Sequence, residues 1–326
     1  MGALRARMRV LSQIAPKMAR GFSGKAEIRP RPPQKTPPLF LYPAAVLCYN
    51  ENNLRQTGAP VRIAVHCQPP LHHSTFPSMK ILGVIPSRWG STRFPGKSLA
   101  PICGKPLVVH VVEACLRSKR LTEVIVATDD QRIADAVAGT RARAVLTRPD
   151  HPSGTDRVAE AAQAGDEDIV VNIQGDEPLM DPALIDRIVE ALLADPSRGM
   201  ATACAPIRTR EELDARTVVK LVADGQGNAL YFSRLPIPCR RDGEPDIASG
   251  LYKRHIGIYG FRGSFLKKFI AAPQCALEKT ESLEQLRALH LGCKIAVVET
   301  DEVGVGVDRP EDVATVERLM REREAR

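Results

Sequence analysis

From residue 79 onward the chain alternates short continuous apolar runs with stretches whose apolar residues recur at helical spacing. Residues 81–85 (ILGVI), 124–127 (VIVA), 144–146 (AVL), 169–173 (IVVNI) and 200–207 (MATACAPI) are apolar enough to be strands covered on both faces. Between them, residues 106–117 (PLVVHVVEACLR), 131–138, 155–164 and 181–194 carry the i, i+3, i+4 pattern of amphipathic helices. Strand and helix in alternation predict an α/β fold: a Rossmann-like, mostly parallel sheet with helices on both faces. The pattern changes over residues 217–262. Residues 217–223 (TVVKLVA), 229–233 (ALYFS) and 255–261 (HIGIYGF) alternate in period two and are joined by turn-rich segments, which predicts an antiparallel insertion suited to a dimer contact. A helix over 282–291, a strand over 295–299 and a closing helix from 308 to 322 complete the order.

In such a sheet, ligands collect beyond the carboxyl ends of the strands. Three polar clusters fall at that edge, residues 86–97, 147–157 and 174–177. The first begins as the strand 81–85 breaks into PSRWGSTRFPGK, a loop with Arg88, Arg93 and Lys97 beside Gly90, Ser91, Thr92 and Gly96. Small residues let backbone N–H groups approach phosphate oxygens, and the cations neutralise charge that backbone donors cannot, so the loop predicts polyphosphate binding. It is not a Walker loop, because Gly90 and Gly96 are one residue too far apart.

A carboxylate stands where the strand 169–173 ends, Asp176 in NIQGDEP. It is too far from the helix near Asp181 to cap it, which favours a divalent-metal ligand. Asp308, in GVGVDRPED, is a second candidate, but an Asp in that setting also suits the N-cap of the closing helix.

Charge does not support a nucleic-acid surface. The +8 net charge is confined to residues 1–78, which hold 11 of the 46 Lys and Arg and 2 of the 38 Asp and Glu, leaving 35 against 36 for residues 79–326. Residues 1–26 are rich in Arg, Lys, Ser and small apolar residues and lack acids, the bias of an organellar transit peptide, so mitochondrial targeting is expected, or a cytoplasmic protein if translation starts at Met79. Residues 29–78 are Pro-rich and expected to be disordered, dividing the chain into an N-terminal extension (1–78) and one domain (79–326). The apolar run 39–48 is too short to span a bilayer. Eight scattered cysteines without a C-x-x-C predict neither a disulfide framework nor a zinc site, and His66, Cys67, His72 and His73 are read as incidental.

Eight segments, in order, carry a family resemblance: IPSRWGSTRFPGKSL, VATDD, TRPDHPSGTDR, VVNIQGDEP, ALYFSR, RHIGIYGFR, LEQLR and GVDRPED. Over residues 80–324 the sequence resembles the 3-deoxy-D-manno-octulosonate (Kdo) cytidylyltransferases, or CMP-Kdo synthetases. Family members often have Ala at Ser87 and Pro at Ser98, small changes that leave the loop's cations in place. The resemblance implies a nucleotide-diphospho-sugar transferase type of fold, a homodimer, Mg2+, and transfer of CMP from CTP to Kdo for lipopolysaccharide or pectin. It implies that Arg88 and Lys97 bind the β- and γ-phosphates, with Ser91, Thr92 and Arg93 shaping the loop. Arg148, Ser153, Gly154, Thr155 and Arg157 would surround cytidine and the α-phosphate. Asp176 and Asp308 would hold magnesium, and Gln174, Ser233, Arg234, His255, Tyr259 and Glu284 the sugar acid. A CMP-sialic acid synthetase is the nearest alternative, against which RHIGIYGFR and LEQLR argue. A dinucleotide-dependent oxidoreductase lacks support because no G-x-G-x-x-G follows the first strand. A non-enzymatic nucleotide-binding protein would not be expected to keep Lys97 and both carboxylates.

Overall fold

The computed structural model describes residues 79–91, 93–166, 168–302 and 304–324. The expected extension 1–78 and the loop residue Thr92 therefore lie outside the described residues. In chain order the elements are β1 (Ile81–Ser87), a small ladder of β2 (Pro101–Ile102) with β3 (Lys105–Pro106), α1 (Leu107–Cys115), β4 (Glu123–Thr128), α2 (Gln131–Val137), β5 (Arg143–Leu146), α3 (Gly154–Ala162), β6 (Ile169–Asn172) and α4 (Pro182–Ala194). There follow β7 (Arg198–Pro206), α5 (Arg210–Asp214), β8 (Lys220–Ala223), β9 (Ala229–Ser233), β10 (Lys253–Arg262), α6 (Gly263–Ala271), α7 (Ala276–Glu281), α8 (Gln285–His290), β11 (Lys294–Glu299) and α9 (Asp312–Glu324).

The main sheet runs β11-β7-β10-β6-β1-β4-β5, with β8 joined to β10 and β9 to β8. Strands β5, β4, β1 and β6 are mutually parallel, and β11 is parallel to β7. The period-two side-chain alternation sends Ile81 and Ile85 of β1 into the core shared with α1, α2 and α4, while Leu82 and Val84 join α3, α6 and α8 on the opposite face. The helices therefore cover both faces, as the alternating pattern predicts.

The segment 217–262 is antiparallel throughout, but it is continuous with the main sheet. Strand β10 lies between β6 and β7, antiparallel to both, and β8 pairs with only two of its residues, Lys253 and Arg254. A strand alternating between small and large residues gives no sequence signal for which neighbours it will take, so HIGIYGF reads as peripheral and is central. The closing helix begins at Asp312, later than expected. Asp312 Oδ2 accepts from the backbone N–H groups of Asp308 (2.9 Å) and Arg309 (2.8 Å), so the turn-forming carboxylate is Asp312 and Asp308 is left free of that task.

Candidate active site

The loops that leave β1, β5 and β6 at their carboxyl ends enclose a cleft of about 370 Å3. Its lining includes Arg88, Ser91, Arg93, Lys97, Ser153, Gly154, Arg157, Gln174, Asp176 and Asp308, bringing most of the predicted phosphate and metal residues together. Two close approaches shape it. Gly96 has φ 69°, and a Cβ there would meet the Trp89 indole at 2.9 Å; a Cβ on Gly175 would sit 2.7 Å from the Pro86 carbonyl oxygen. Both glycines are needed where they stand, the first for a left-handed turn and the second for contact between two strand ends.

At the floor, Lys97 Nζ donates to Asp176 Oδ2 at 2.7 Å and to Asp308 Oδ1 at 3.4 Å. Arg93 reaches Asp308 Oδ2 at 3.2 Å. The segments bearing the carboxylates are tied by their backbones too, since the Val307 N–H donates to the Asp176 carbonyl at 2.9 Å. Asp181 accepts from the Ala183 N–H at 2.9 Å and caps α4, which leaves Asp176 for other work. Glu177 follows Asp176 and is driven inward; burial, and then the Asp176 charge, push its carboxyl up to about 7. Among the described residues its Oε2 and the buried Ser87 Oγ have no hydrogen-bond partner.

On the other wall, Ser153 caps α3 by accepting from the Asp156 N–H, so the positive end of that helix faces the cleft. Arg157, buried, donates to Asp129 Oδ2 at 3.2 Å, and Asp129 Oδ1 accepts from the Trp89 N–H at 3.1 Å. Asp129 thus connects the first loop to α3, a role sequence reasoning missed although the end of its strand was a legible position. Arg148 lies outside the lining, paired with Glu160 at 3.2 Å.

Of the predicted sugar-side residues, Glu284, His255 and Tyr259 are more enclosed. Asn172 Nδ2 donates to Thr155 Oγ1 (3.3 Å), which donates to Glu284 Oε1 (2.7 Å). Burial raises the Glu284 carboxyl against the lowering effect of that hydrogen bond. The His255 ring packs between Phe232 and Tyr259, with centroids at 5.2 and 5.5 Å, and its Nε2 lies 2.9 Å from Thr202 Oγ1. Desolvation brings its pKa down to about 3, so the ring is neutral at physiological pH, and it raises the Tyr259 phenol. Gln174 bridges the two sides by donating to the Gly257 carbonyl at 2.8 Å. Glu284 opens onto a second cavity of about 660 Å3 that shares Pro152 and Ser153 with the first. His255, Tyr259, Ser233 and Arg234 line neither: the Ser233 hydroxyl donates to Glu281 Oε1 (2.9 Å), and Arg234 Nε to the Glu281 carbonyl (2.7 Å).

A cation-rich loop, two facing carboxylates and a helix N-terminus converge at the carboxyl edge of the sheet. The profile of the cytidylyltransferase family matches residues 82–295. A 3-deoxy-manno-octulosonate cytidylyltransferase of Trichlorobacter lovleyi is 45% identical over 251 residues, 75% of this chain and 100% of the relative. One from Geobacter sulfurreducens is 49% identical over 245 residues, 73% of this chain and 98% of the relative. The chain belongs to the 3-deoxy-manno-octulosonate cytidylyltransferase family. It is, accordingly, a nucleotidyltransferase. Among solved structures, a CMP:2-keto-3-deoxy-manno-octonic acid synthetase complexed with CTP is 40% identical and covers 75% of this chain and 99% of its own, with a TM-score of 0.70. The family match corrects the expected mitochondrial destination. The similar cytidylyltransferases come from bacteria, which have no mitochondria, and residues 1–26, which suggested it, lie outside the described residues. Basic, acid-poor composition alone does not specify an import signal.

Proposed function

We propose that this chain transfers CMP from CTP to the anomeric 2-hydroxyl of Kdo, releasing pyrophosphate, with the triphosphate in the first cleft and the sugar acid toward Glu284. The observation that carries this reading is the convergence of Lys97 with Asp176 and Asp308 at the strand edge, within a family whose relatives bear that activity in their names. The hydroxyl oxygen attacks the α-phosphorus, the bond to the β-phosphate oxygen breaks, the hydroxyl proton is lost, and pyrophosphate departs with the bonding pair. Lys97, Arg88 and Arg93 offset the negative charge that grows on the leaving group. Arg157, buried and oriented by Asp129, and the N-terminus of α3 face the α-phosphate and cytidine; Ser91, Ser153, Gly154 and Thr155 shape that wall. Arg148 is assigned an outer electrostatic contribution.

The donor set fits Mg2+. Asp176 and Asp308 are two hard oxygen donors held together, and no group of three or more His, Cys, Asp or Glu forms a metal cluster among the described residues. A cation that binds through one or two carboxylates, waters and substrate phosphates suits that count, whereas zinc or calcium would want a fuller protein cage. When bound, Mg2+ supplies charge neutralisation at the phosphoryl oxygens and lowers the pKa of a coordinated hydroxyl.

For the sugar acid, Gln174 and Glu284 offer hydrogen bonds at the mouth, His255 a neutral imidazole and Tyr259 a phenol. Ser233 and Arg234 support that side through Glu281. Pyrophosphate release from CTP on adding Kdo, compared with N-acetylneuraminate, tests the assignment: release with Kdo is expected, and none with either acid contradicts it. We further propose a homodimer through the β8–β9 hairpin and the segment that follows it, where Leu230 on β9 and Leu235 just beyond it are 60% and 54% exposed. Light scattering of Leu230→Glu should show a loss of dimer, and an unchanged mass would place the contact elsewhere. No helix among the described residues is long and apolar enough to cross a membrane.

A further inference from the structure

Trp89 is the single tryptophan of the chain and lies inside the phosphate-binding loop, yet none of the roles above uses its side chain. Its main chain closes the loop: the Trp89 carbonyl accepts from Ser91 N–H at 2.9 Å and from Gly96 N–H at 3.3 Å. One face of the indole packs on Gly96 at the far end of the loop, so closely that a Cβ there would have to displace it. Over the ring lies the Arg132 guanidinium, 3.4 Å from the centroid. Arg132 is itself fixed by Asp130, with Nε to Oδ1 at 2.9 Å and NH2 to Oδ2 at 2.6 Å, and Asp130 is the N-cap of α2. The indole therefore joins both ends of a loop to the β4–α2 corner, whose Asp129 also holds the Trp89 N–H and Arg157.

We propose that Trp89, clamped between Arg132 and Gly96, is a positioning residue that sets the phosphate-binding loop for a nucleoside triphosphate. The inference rests on the reading that residues 88–97 receive the triphosphate of CTP. A loop of glycines, serine and threonine has many conformations, and only a few place Arg88, Arg93 and Lys97 on one ligand. A flat, rigid side chain that fills the position of a missing Cβ and is stacked by a cation restricts that set before the ligand arrives. Arg132 acts through the ring and has no reason to touch substrate.

Because the protein has one indole, its emission reports on this loop alone. Titrating the full-length protein with CTP and Mg2+ should change Trp89 emission saturably. Arg132→Met keeps length and removes the cation; it should raise the half-saturating CTP concentration by about two- to fivefold, the fold-change that a surface cation–π contact represents. Trp89→Ala should raise the KM for CTP by roughly tenfold and leave that for Kdo within about twofold, while Trp89→Phe, which keeps a flat ring, should recover most of the loss. If Trp89→Ala does not fold, Arg132→Met and the parent titration still decide the matter. Emission that stays constant while equilibrium dialysis shows CTP bound overturns the proposal. So does a lowered melting temperature in either variant with both Michaelis constants unchanged, because the clamp would then be structural only. An emission change with CTP in a protein that releases no pyrophosphate with Kdo supports the clamp and removes the acceptor assignment instead.

Discussion

Where the triphosphate is placed, Arg93, Lys97, Asp176 and Asp308 stand at least partly in water and neutralise one another; where the sugar acid is placed, Glu284, His255 and Tyr259 are enclosed and pushed toward their uncharged forms. The first arrangement suits a highly charged ligand with counter-ions, because opposed charges held at a surface can be re-paired on binding at modest desolvation cost. The second suits a polyhydroxylated ligand read by direction, because hydrogen bonds in a dehydrated site discriminate strongly when one partner is missing. One fold supplies both, by ending parallel strands in charged loops and running an antiparallel strand, β10, beside them.

The comparison breaks most completely at the carboxylate pair. Asp176→Asn keeps shape and removes charge; turnover should fall by about 100-fold or more while CTP affinity, measured by dialysis, falls much less. Near-normal turnover in Mg2+ would remove Asp176 from its ligand role. A smaller effect separates burial from charge at the next residue. Glu177, with a carboxyl raised from 4.5 to about 7, binds its proton more tightly folded than unfolded. The stability this proton provides is fully present below pH 4.5, is lost as pH rises through about 7, and amounts to roughly 3 kcal/mol. In Glu177→Gln that pH dependence should vanish. Urea unfolding in chelator at pH 5 and pH 8 checks it, and an equal pH dependence in parent and variant would mean that the carboxyl is solvated.

The same division explains what could be read from sequence. Strand and helix order, and the clustering of residues 86–97, 147–157 and 174–177 at one edge, follow from period and local composition, and Lys97 and Asp176 from two of those clusters do meet. The placement of β10 depends on pairings between residues tens of positions apart, such as Tyr259 with Asn172, and no local pattern encodes them. Asp308 was ambiguous for a local reason: two Asp four residues apart compete for one turn, and only the hydrogen bonds to Asp312 resolve which is used. Asn172 and Thr202 have no role legible in the sequence because a polar residue within an apolar strand does not name its partner, although burial makes that partner obligatory. Arg234 was legible as a cation next to a strand end, but its engagement with the carbonyl end of α7 was not.

The central claim, that one site has a charge-reading half and a dehydrated hydrogen-bonding half, is tested most directly by crossed kinetics of Lys97→Ala and Glu284→Gln, with each substrate varied at saturation of the other. Lys97→Ala should depress turnover and raise the KM for CTP by about tenfold with little change for Kdo. Glu284→Gln should raise the KM for Kdo by about tenfold, the loss of one well-placed hydrogen-bond acceptor in a dehydrated site, and leave that for CTP nearly unchanged. If both variants shift the same Michaelis constant, or each shifts the other's, the division of the site into these two halves is wrong.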